Sequence, residues 1–301
     1  MSTRTASAVV PTLAALAVVL LWGMSFVSSK AVLNTGFPPL TMALARFGVA
    51  SLALGILRLW LEPGSRFGRD ERLLLAASGL FGVTIYFFFE TRGIKLTSAS
   101  NASLIIATIP VFTVAAEYLF FRTPIRWVQG AGIALSILGV YLLVGRGEGR
   151  TPREIEGNLS MLGACLSWVA YVALSRRLHA GTAQNRPAAR NLSLTAWQNL
   201  IGAAFMLPLA LTERAGWVLA GPTVWLNILY LGLFCSALGY FLYQYALARL
   251  GAVAVVAYVN LIPVVSAAGG FLLLGETLAP VQMAGGLVVI AGVFLVNLPG
   301  R

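Results

Sequence analysis

The sequence predicts an all-α membrane protein with ten transmembrane helices, arranged as two inverted repeats of five. Three observations lead to this fold class: the composition, ten separate apolar runs, and an internal repeat with opposite loop charge in its two copies. Of 301 residues, 58% are hydrophobic and 10% are charged, and the mean hydropathy is +0.85. Soluble domains have about 45–50% apolar and about 25% charged residues. The composition therefore excludes a soluble domain and a disordered chain.

A helix of about 20 residues crosses the hydrocarbon core of a bilayer. Charged or Pro- and Gly-rich breaks separate ten apolar runs of about this length. No small-residue cleavage site is evident after the first run, so we interpret it as a retained helix and not as a signal peptide. The runs lie near 10–30, 38–60, 72–91, 98–121, 126–145, 157–178, 191–212, 224–248, 253–274 and 280–298.

The distribution of Lys and Arg predicts that both termini are cytoplasmic, because cytoplasmic loops carry the excess of these residues. In that orientation 13 basic residues lie on the inner side, 7 lie on the outer side, and Arg46 lies within a span. We interpret the net charge of +11 as topology and lipid-headgroup charge, not as a nucleic-acid-binding patch.

A shift of 153 residues aligns 93–144 with 246–297 without a gap. The halves, 1–150 and 151–301, contain five spans each, and an odd number requires opposite orientations in the membrane. The charges of equivalent loops support opposite orientations, because four Arg follow the second span but only Arg214 follows the seventh. The coinciding residues are Pro110 and Pro263, Gln129 and Gln282, Gly132 and Gly285, and Gly139 and Gly292. Inverted repeats are characteristic of alternating-access carriers with a substrate site near the midplane.

Several motifs of the chain resemble the EamA family of the drug/metabolite transporter superfamily. They are Leu21-Trp22-Gly23-Met24-Ser25-Phe26, Arg46-Phe47, the Ala-Ser and Pro-Val-Phe pattern within 99–129, and Pro263-Val264 through Leu274-Gly275-Glu276-Thr277 to Gln282. The first repeat departs from the family signature with Phe121-Arg122-Thr123. The resemblance covers essentially the whole chain and implies a secondary transporter of small metabolites. Within the family, general similarity is greatest to the YddG-type exporters of aromatic amino acids.

Aromatic residues at mid-depth are candidates for a substrate cavity. Trp22 and Trp168 are repeat partners far from the span ends, whereas Trp in membrane proteins concentrates at the interfaces. Tyr86 and Tyr240 lie in the third and eighth spans, where a phenol requires a polar partner or water. The alternative for all four residues is packing against lipid or neighbouring helices.

Ionisable residues within spans are costly and are therefore functional candidates. Arg46 is a candidate for binding a substrate carboxylate, and the alternative is a structural ion pair. Glu90 is a candidate for a coupling group or an ion-pair partner. Four uncharged polar residues either bind substrate or link helices: Ser25, Gln198, Gln244 and Asn260.

Two matching prolines, Pro110 and Pro263, are predicted to kink their helices near the middle and to serve as gating hinges, with a static bend as the alternative. The glycine pairs at a spacing of seven, Gly132 with Gly139 and Gly285 with Gly292, predict close helix contact in the scaffold or in a dimer.

We expect a transporter and not an enzyme. A Gly-Lys dipeptide does not occur, which excludes a P-loop for nucleotide hydrolysis. Asp70 and His179 are the only Asp and His, so neither an Asp-rich site nor a His metal site is available. We expect no cofactor, no nucleic acid, and small molecules such as amino acids as substrates in a bacterial inner membrane. The alternatives are a broad-specificity carrier of this fold and, less favoured, a lipid-modifying enzyme.

Overall fold

The computed structural model describes residues 2–64, 67–121, 126–144, 151–182, 190–217, 220–251, 255, 258–259 and 261–297. This part of the chain is almost entirely helical and contains no β-strand. The helices are α1 Ser2–Asn34, α2 Pro39–Leu61, α3 Arg69–Gly79, α4 Tyr86–Leu96, α5 Ala99–Ile106, α6 Ile109–Phe121, α7 Trp127–Val144, α8 Pro152–Thr182, α9 Asn191–Leu211, α10 Pro222–Tyr230, α11 Gly239–Leu250, α12 Ile262–Leu274 and α13 Pro280–Asn297.

The described helices confirm a multi-pass membrane protein. Seven of them are long and apolar enough to cross a bilayer, beginning with Val9–Asn34 and ending with Pro222–Leu250. Three shorter apolar helices are Trp127–Leu142, Ile262–Leu274 and Pro280–Leu295. The outward faces of the described helices carry large apolar side chains, such as Leu52 of α2 and Phe271 of α12, which are 67% and 65% exposed. Such faces are the expected lipid contact, because lipid replaces the partner that a soluble helix would need.

Helices α2 and α9 lie side by side and antiparallel, and each is capped by a glutamate that follows the other. The Glu62 carboxylate, after α2, accepts the backbone N–H groups of Leu192 (3.2 Å) and Ser193 (2.7 Å) at the start of α9. The Glu213 carboxylate, after α9, accepts the Thr41 N–H (2.8 Å) and hydroxyl (3.0 Å) at the start of α2. Each carboxylate thus satisfies N–H groups that a helix leaves free and opposes the positive end of the helix dipole.

Glycines bring α7 and α13 into direct backbone contact. A Cβ added at Gly139 would lie 2.8 Å from the Gly285 carbonyl, and one at Gly292 would lie 2.6 Å from the Gly132 carbonyl. The glycine pairs predicted from their spacing of seven therefore meet each other within one chain.

The fourth predicted span is divided into two helices, α5 and α6. The prediction of a proline kink in the middle of one helix is therefore wrong for this span. Helix α5 ends at Ile106, a turn follows at Ala107 and Thr108, and Pro110 is the second residue of α6. Pro263 is likewise the second residue of α12. Proline lacks an N–H and has a fixed φ, so the first turn of a helix accommodates it better than the interior does.

Two longer helices contain a π-helical segment at equivalent positions. Leu80–Ile85 joins α3 to α4, and Leu231–Leu238 joins α10 to α11. A π segment has wider turns than an α-helix and shifts the carbonyls that follow it, and such segments occur frequently at functional sites. Both segments border the centre of the molecule, where α1 packs against α11 and α12 and where α4 packs against α8.

Candidate functional site

A cavity of about 420 Å³, a volume that includes space open to the surroundings, lies between the two halves of the chain. Helices α1, α2, α4, α5 and α6 contribute residues from the first half, and α8, α11 and α12 contribute residues from the second. Most of its lining is apolar or aromatic, which is typical of small-molecule sites. The lining residues are Trp22, Ser25, Phe26, Arg46, Tyr86, Phe87, Glu90, Ile106, Ile109, Trp168, Tyr240, Val259 and Ile262.

Trp22 and Trp168 contact each other across this cavity. Their ring centroids are 5.3 Å apart and the rings are nearly perpendicular, at 89°. Tyr86 lies 5.0 Å from Trp168, and Tyr240 lies 5.5 Å from Trp22. These separations are those of favourable edge-to-face pairs. The four aromatic residues predicted at mid-depth thus form one group, in contrast to Trp127, which is 84% exposed.

Hydrogen bonds to the two π segments hold two of these rings in place. The indole N–H of Trp22 donates to the Cys235 carbonyl at 3.0 Å, and the phenol of Tyr240 donates to the Gly82 carbonyl at 2.9 Å. Gly82 and Cys235 are separated by the repeat shift of 153 residues. Equivalent carbonyls of the two halves therefore orient aromatic donors from the opposite halves.

Arg46 presents a buried guanidinium to the cavity. The side chain is 2% exposed, and its Nε donates to the Ser236 hydroxyl at 2.9 Å. The guanidinium carbon lies 4.7 Å from the Phe87 ring centroid and 5.5 Å from that of Phe47. Within the described chain its Nη1 is buried without a hydrogen-bond partner. The cation is thus positioned by one hydrogen bond and by aromatic faces.

Glu90 places a carboxylate in the same cavity. It is 3% exposed, and its Oε2 is buried without a hydrogen-bond partner among the described residues. Both Glu90 and Arg46 belong to the described part of the chain, and no ion pair joins them there. Tyr86 precedes Glu90 by one helical turn on the same face of α4.

Gln198 and Gln244 lie outside the cavity lining. They form a buried cluster with Ser78, Tyr171 and Ser175. The Gln244 amide donates to the Tyr171 hydroxyl at 2.8 Å and to the Gln198 carbonyl oxygen at 2.9 Å. The Gln198 amide donates to the Ser78 hydroxyl at 2.9 Å. These residues lie on α3, α8, α9 and α11. Their hydrogen bonds therefore link four helices.

The cluster extends from the cavity towards the carboxyl end of α8. Tyr171 lies 4.7 Å from Trp168, between ring centroids. At the other end, a ring nitrogen of His179 lies 2.9 Å from the Gln244 side-chain oxygen. The polar residues therefore fill the interior beyond the aromatic wall.

Seven predicted site residues line the cavity: Trp22, Ser25, Arg46, Tyr86, Glu90, Trp168 and Tyr240. The Ser25 hydroxyl donates to the Trp22 carbonyl within its own helix at 2.7 Å. Asn260 lies outside the described residues. Pro110 and Pro263 directly follow the lining residues Ile109 and Ile262 in the sequence, but the prolines themselves do not line the cavity.

Sequence reasoning missed Phe87 and Ser236, the residues that position Arg46. Phe87 lies in a run of aromatic residues that covers every helix face, so its position alone gave no reason to choose it. Ser236 is an ordinary small residue in an apolar helix. At the repeat shift of 153 residues Ser236 coincides with Val83, so the repeat gives no polar signal at this position.

Comparisons with known proteins agree with this architecture. The model of the EamA-like transporter family matches residues 10–145 and again residues 155–298. The chain belongs to the EamA-like transporter family. It is therefore a multi-pass membrane transporter, and the resemblance of its motifs to this family is confirmed.

Three relatives of this EamA-like transporter are each 30% identical to it. An uncharacterized transporter of Archaeoglobus fulgidus aligns over 92% of this chain and 93% of its own. A probable terminal-alkyne amino-acid exporter of Streptantibioticus cattleyicolor aligns over 93% and 90%. A probable amino-acid metabolite efflux pump of Salmonella typhimurium aligns over 93% and 92%. A protein of known crystal structure shares the fold over 95% of both chains, with a TM-score of 0.64 and 21% identity.

Proposed function

We propose that this EamA-like transporter is a secondary carrier that exports aromatic and other hydrophobic amino acids. The observation that carries the proposal is the cavity, in which Trp22, Tyr86, Trp168 and Tyr240 surround the space that Arg46 faces. Aromatic walls favour an aromatic side chain, and a guanidinium is well suited to bind a carboxylate. The names of two relatives, which refer to amino-acid export and amino-acid metabolite efflux, support the same substrate class.

The proposed transport cycle is alternating access between two inverted halves, 1–150 and 151–301. Three observations support it: the family model matches each half, Glu62 and Glu213 cap reciprocally, and α7 meets α13 through equivalent glycines. A two-fold relation between the halves generates such paired contacts. The substrate site would then lie near the midplane and open to either side as the halves rock.

Roles within the cycle follow from position. The lining residues, including Ser25, contact the substrate. The cluster of Gln198 and Gln244 closes the passage beyond Trp168, and Pro110 and Pro263, at the starts of α6 and α12, serve as gating hinges. For Asn260 we retain the proposal of a substrate contact from its sequence position. We also propose that an ion or substrate gradient drives transport, without nucleotide hydrolysis.

The orientation of the chain is part of the proposal. We propose that both termini are cytoplasmic and that the membrane is the bacterial inner membrane, as the excess of Lys and Arg in one set of loops favours. Fusing a reporter that is fluorescent only in the cytoplasm to either terminus is expected to yield a signal in both cases. A signal from one terminus alone would contradict an even number of spans.

Transport by purified protein in proteoliposomes tests the substrate class. We expect efflux of radiolabelled Phe and Trp, and we expect Trp168→Ala to reduce it at least about tenfold, because the variant removes one wall of the cavity. Trp60→Ala is the matched control, since Trp60 is 82% exposed and lies far from the cavity lining. Robust flux of unrelated solutes with none of Phe or Trp would overturn the substrate class and favour a broad-specificity carrier.

A further inference from the structure

We propose that the cavity selects zwitterions, because Glu90 binds the α-ammonium group of the substrate while Arg46 binds its α-carboxylate. This inference rests on the proposed function and deepens it. It assigns a second recognition group and excludes aromatic acids and aromatic amines from the substrates. It also assigns Glu90 to the substrate and not to energy coupling.

Both charged groups have unused hydrogen-bonding capacity at the cavity. Arg46 Nη1 and Glu90 Oε2 are buried without hydrogen-bond partners among the described residues, and both residues line the same space. A buried charge without a partner is strongly unfavourable, so a stable protein retains one only where a ligand or water completes it. Two such groups facing one cavity indicate a ligand that carries both charges.

Other contacts hold the Arg46 guanidinium in place beside the cavity. Arg46 donates through Nε to Ser236 at 2.9 Å, and its guanidinium lies over the Phe87 ring at 4.7 Å. Phe87 and Glu90 are three residues apart on α4 and therefore share one helix face. The guanidinium and the Glu90 carboxylate, both in the described part of the chain, thus face the same cavity without forming an ion pair, and a small group bound between them completes both.

An α-amino acid carries the two charges that this arrangement requires. Its ammonium and carboxylate are attached to a single carbon, and its side chain leaves the same carbon in a third direction. Tyr86 and Trp168, whose ring centroids are 5.0 Å apart, lie one turn along α4 from Glu90 and across from it on α8. A ligand bound by both charges therefore directs its side chain towards the aromatic wall.

Competition with two analogues of phenylalanine tests the assignment. In proteoliposomes containing the full chain, uptake of tritiated phenylalanine is measured against unlabelled phenylalanine, 3-phenylpropionate, which lacks the ammonium, and phenethylamine, which lacks the carboxylate. For the wild type we expect each analogue to compete at least about tenfold less well than phenylalanine, because each leaves one buried charge unpaired.

Variants then separate the two subsites. Glu90→Gln is expected to reduce phenylalanine uptake at least about tenfold and to remove the preference for phenylalanine over 3-phenylpropionate. Its preference over phenethylamine should persist, and Arg46→Gln should show the converse. Glu156→Gln is the matched control, because Glu156 is exposed and pairs with Arg92 away from the cavity. Should Glu90→Gln not give folded protein, Glu90→Asp keeps the charge and is expected to retain the preference with weaker binding.

Three results would overturn the assignment. They are competition by 3-phenylpropionate equal to that of phenylalanine in the wild type, an unchanged preference in Glu90→Gln, and loss of pH-gradient dependence in Glu90→Gln without any change in preference. In each case phenylalanine is still transported and the proposed function survives. Failure of the wild type to transport or bind any of the three compounds would instead overturn the proposed function itself.

Discussion

Glu62 and Glu213 cap each other's helices. Glu62 follows α2 and accepts two N–H groups at the start of α9, while Glu213 follows α9 and accepts an N–H and a hydroxyl at the start of α2. The same shift of 151 residues relates Glu62 to Glu213 and Thr41 to Leu192. Reciprocity of this kind is expected when two similar halves are related by a two-fold axis in the membrane plane.

Removing either cap is expected to destabilise the protein by a similar amount. Glu62→Ala and Glu213→Ala each leave backbone N–H groups without their partner, which costs about 0.5–2 kcal/mol for a helix N-terminus. The measurement is the midpoint of thermal unfolding in detergent, which should fall in both variants and not in Glu156→Gln. An unchanged midpoint in either variant would show that its cap contributes nothing.

Replacing Trp22 by Phe separates the ring from its hydrogen bond. Trp22→Phe retains an aromatic face towards Trp168 but leaves the Cys235 carbonyl without the indole N–H. We expect phenylalanine affinity to fall a few-fold, because the ring loses the bond that orients it, and the stability to fall by about 1 kcal/mol. Titration of the purified protein with phenylalanine gives the affinity. A Trp22→Phe protein as poor as Trp22→Ala would show that the hydrogen bond, and not the ring, is decisive.

Two glycines of α7 are expected to respond oppositely to substitution. A Cβ at Gly139 would lie 2.7 Å from the Val289 backbone nitrogen, whereas nothing lies within 4 Å of a Cβ at Gly130. Gly139→Ala should separate α7 from α13 and cost about 1–3 kcal/mol. Gly130→Ala should be neutral or stabilise the helix by up to about 1 kcal/mol. The difference in unfolding midpoint between the two variants checks the contact, and equal midpoints would argue against it.

The buried amide cluster is expected to seal the passage beyond the cavity. The Gln244 amide lies within hydrogen-bond distance of Tyr171, Ser175, Gln198 and His179, so Gln244→Ala removes all of these contacts and leaves a void. In a background with Cys165 and Cys235 replaced by alanine, Ser175→Cys should react slowly with a membrane-impermeant maleimide. Adding Gln244→Ala should accelerate the reaction at least about tenfold, because water then reaches the site. Fast labelling without Gln244→Ala would show that the cluster does not seal the passage.

Much of the fold could be predicted because the bilayer imposes simple rules on composition. Every backbone group must be satisfied within the membrane, so apolar runs of sufficient length become helices. The mid-depth residues Trp22 and Trp168 could be chosen as candidates for a cavity, because Trp in membrane proteins concentrates at the interfaces and not at mid-depth. The glycine spacing on α7 and α13 also predicted a contact, because close backbone approach requires small residues at fixed intervals.

Prediction from sequence was weaker for polar side chains, since a Gln in a span has many potential partners. Gln198 and Gln244 have the residue type and the depth in the membrane that a substrate-binding residue would have, yet they form hydrogen bonds with each other and with Tyr171. The choice depends on the rotation of α9 and α11, which tertiary packing sets. The prediction of a mid-helix kink at Pro110 was wrong for a related reason. The helix break at Ala107 and Thr108 depends on how the neighbouring helices pack, and the sequence alone does not require it.

By itself, the sequence determined that this protein is a helical membrane transporter, because hydrophobic length, loop charge and family motifs are properties that each segment carries alone. Only the tertiary structure decided that Arg46 and Glu90 face one cavity without pairing, that Ser236 holds the arginine, and that two π segments orient the aromatic rings. Those relations join residues up to 213 positions apart, and their geometry arises from how the helices rotate and pack against one another.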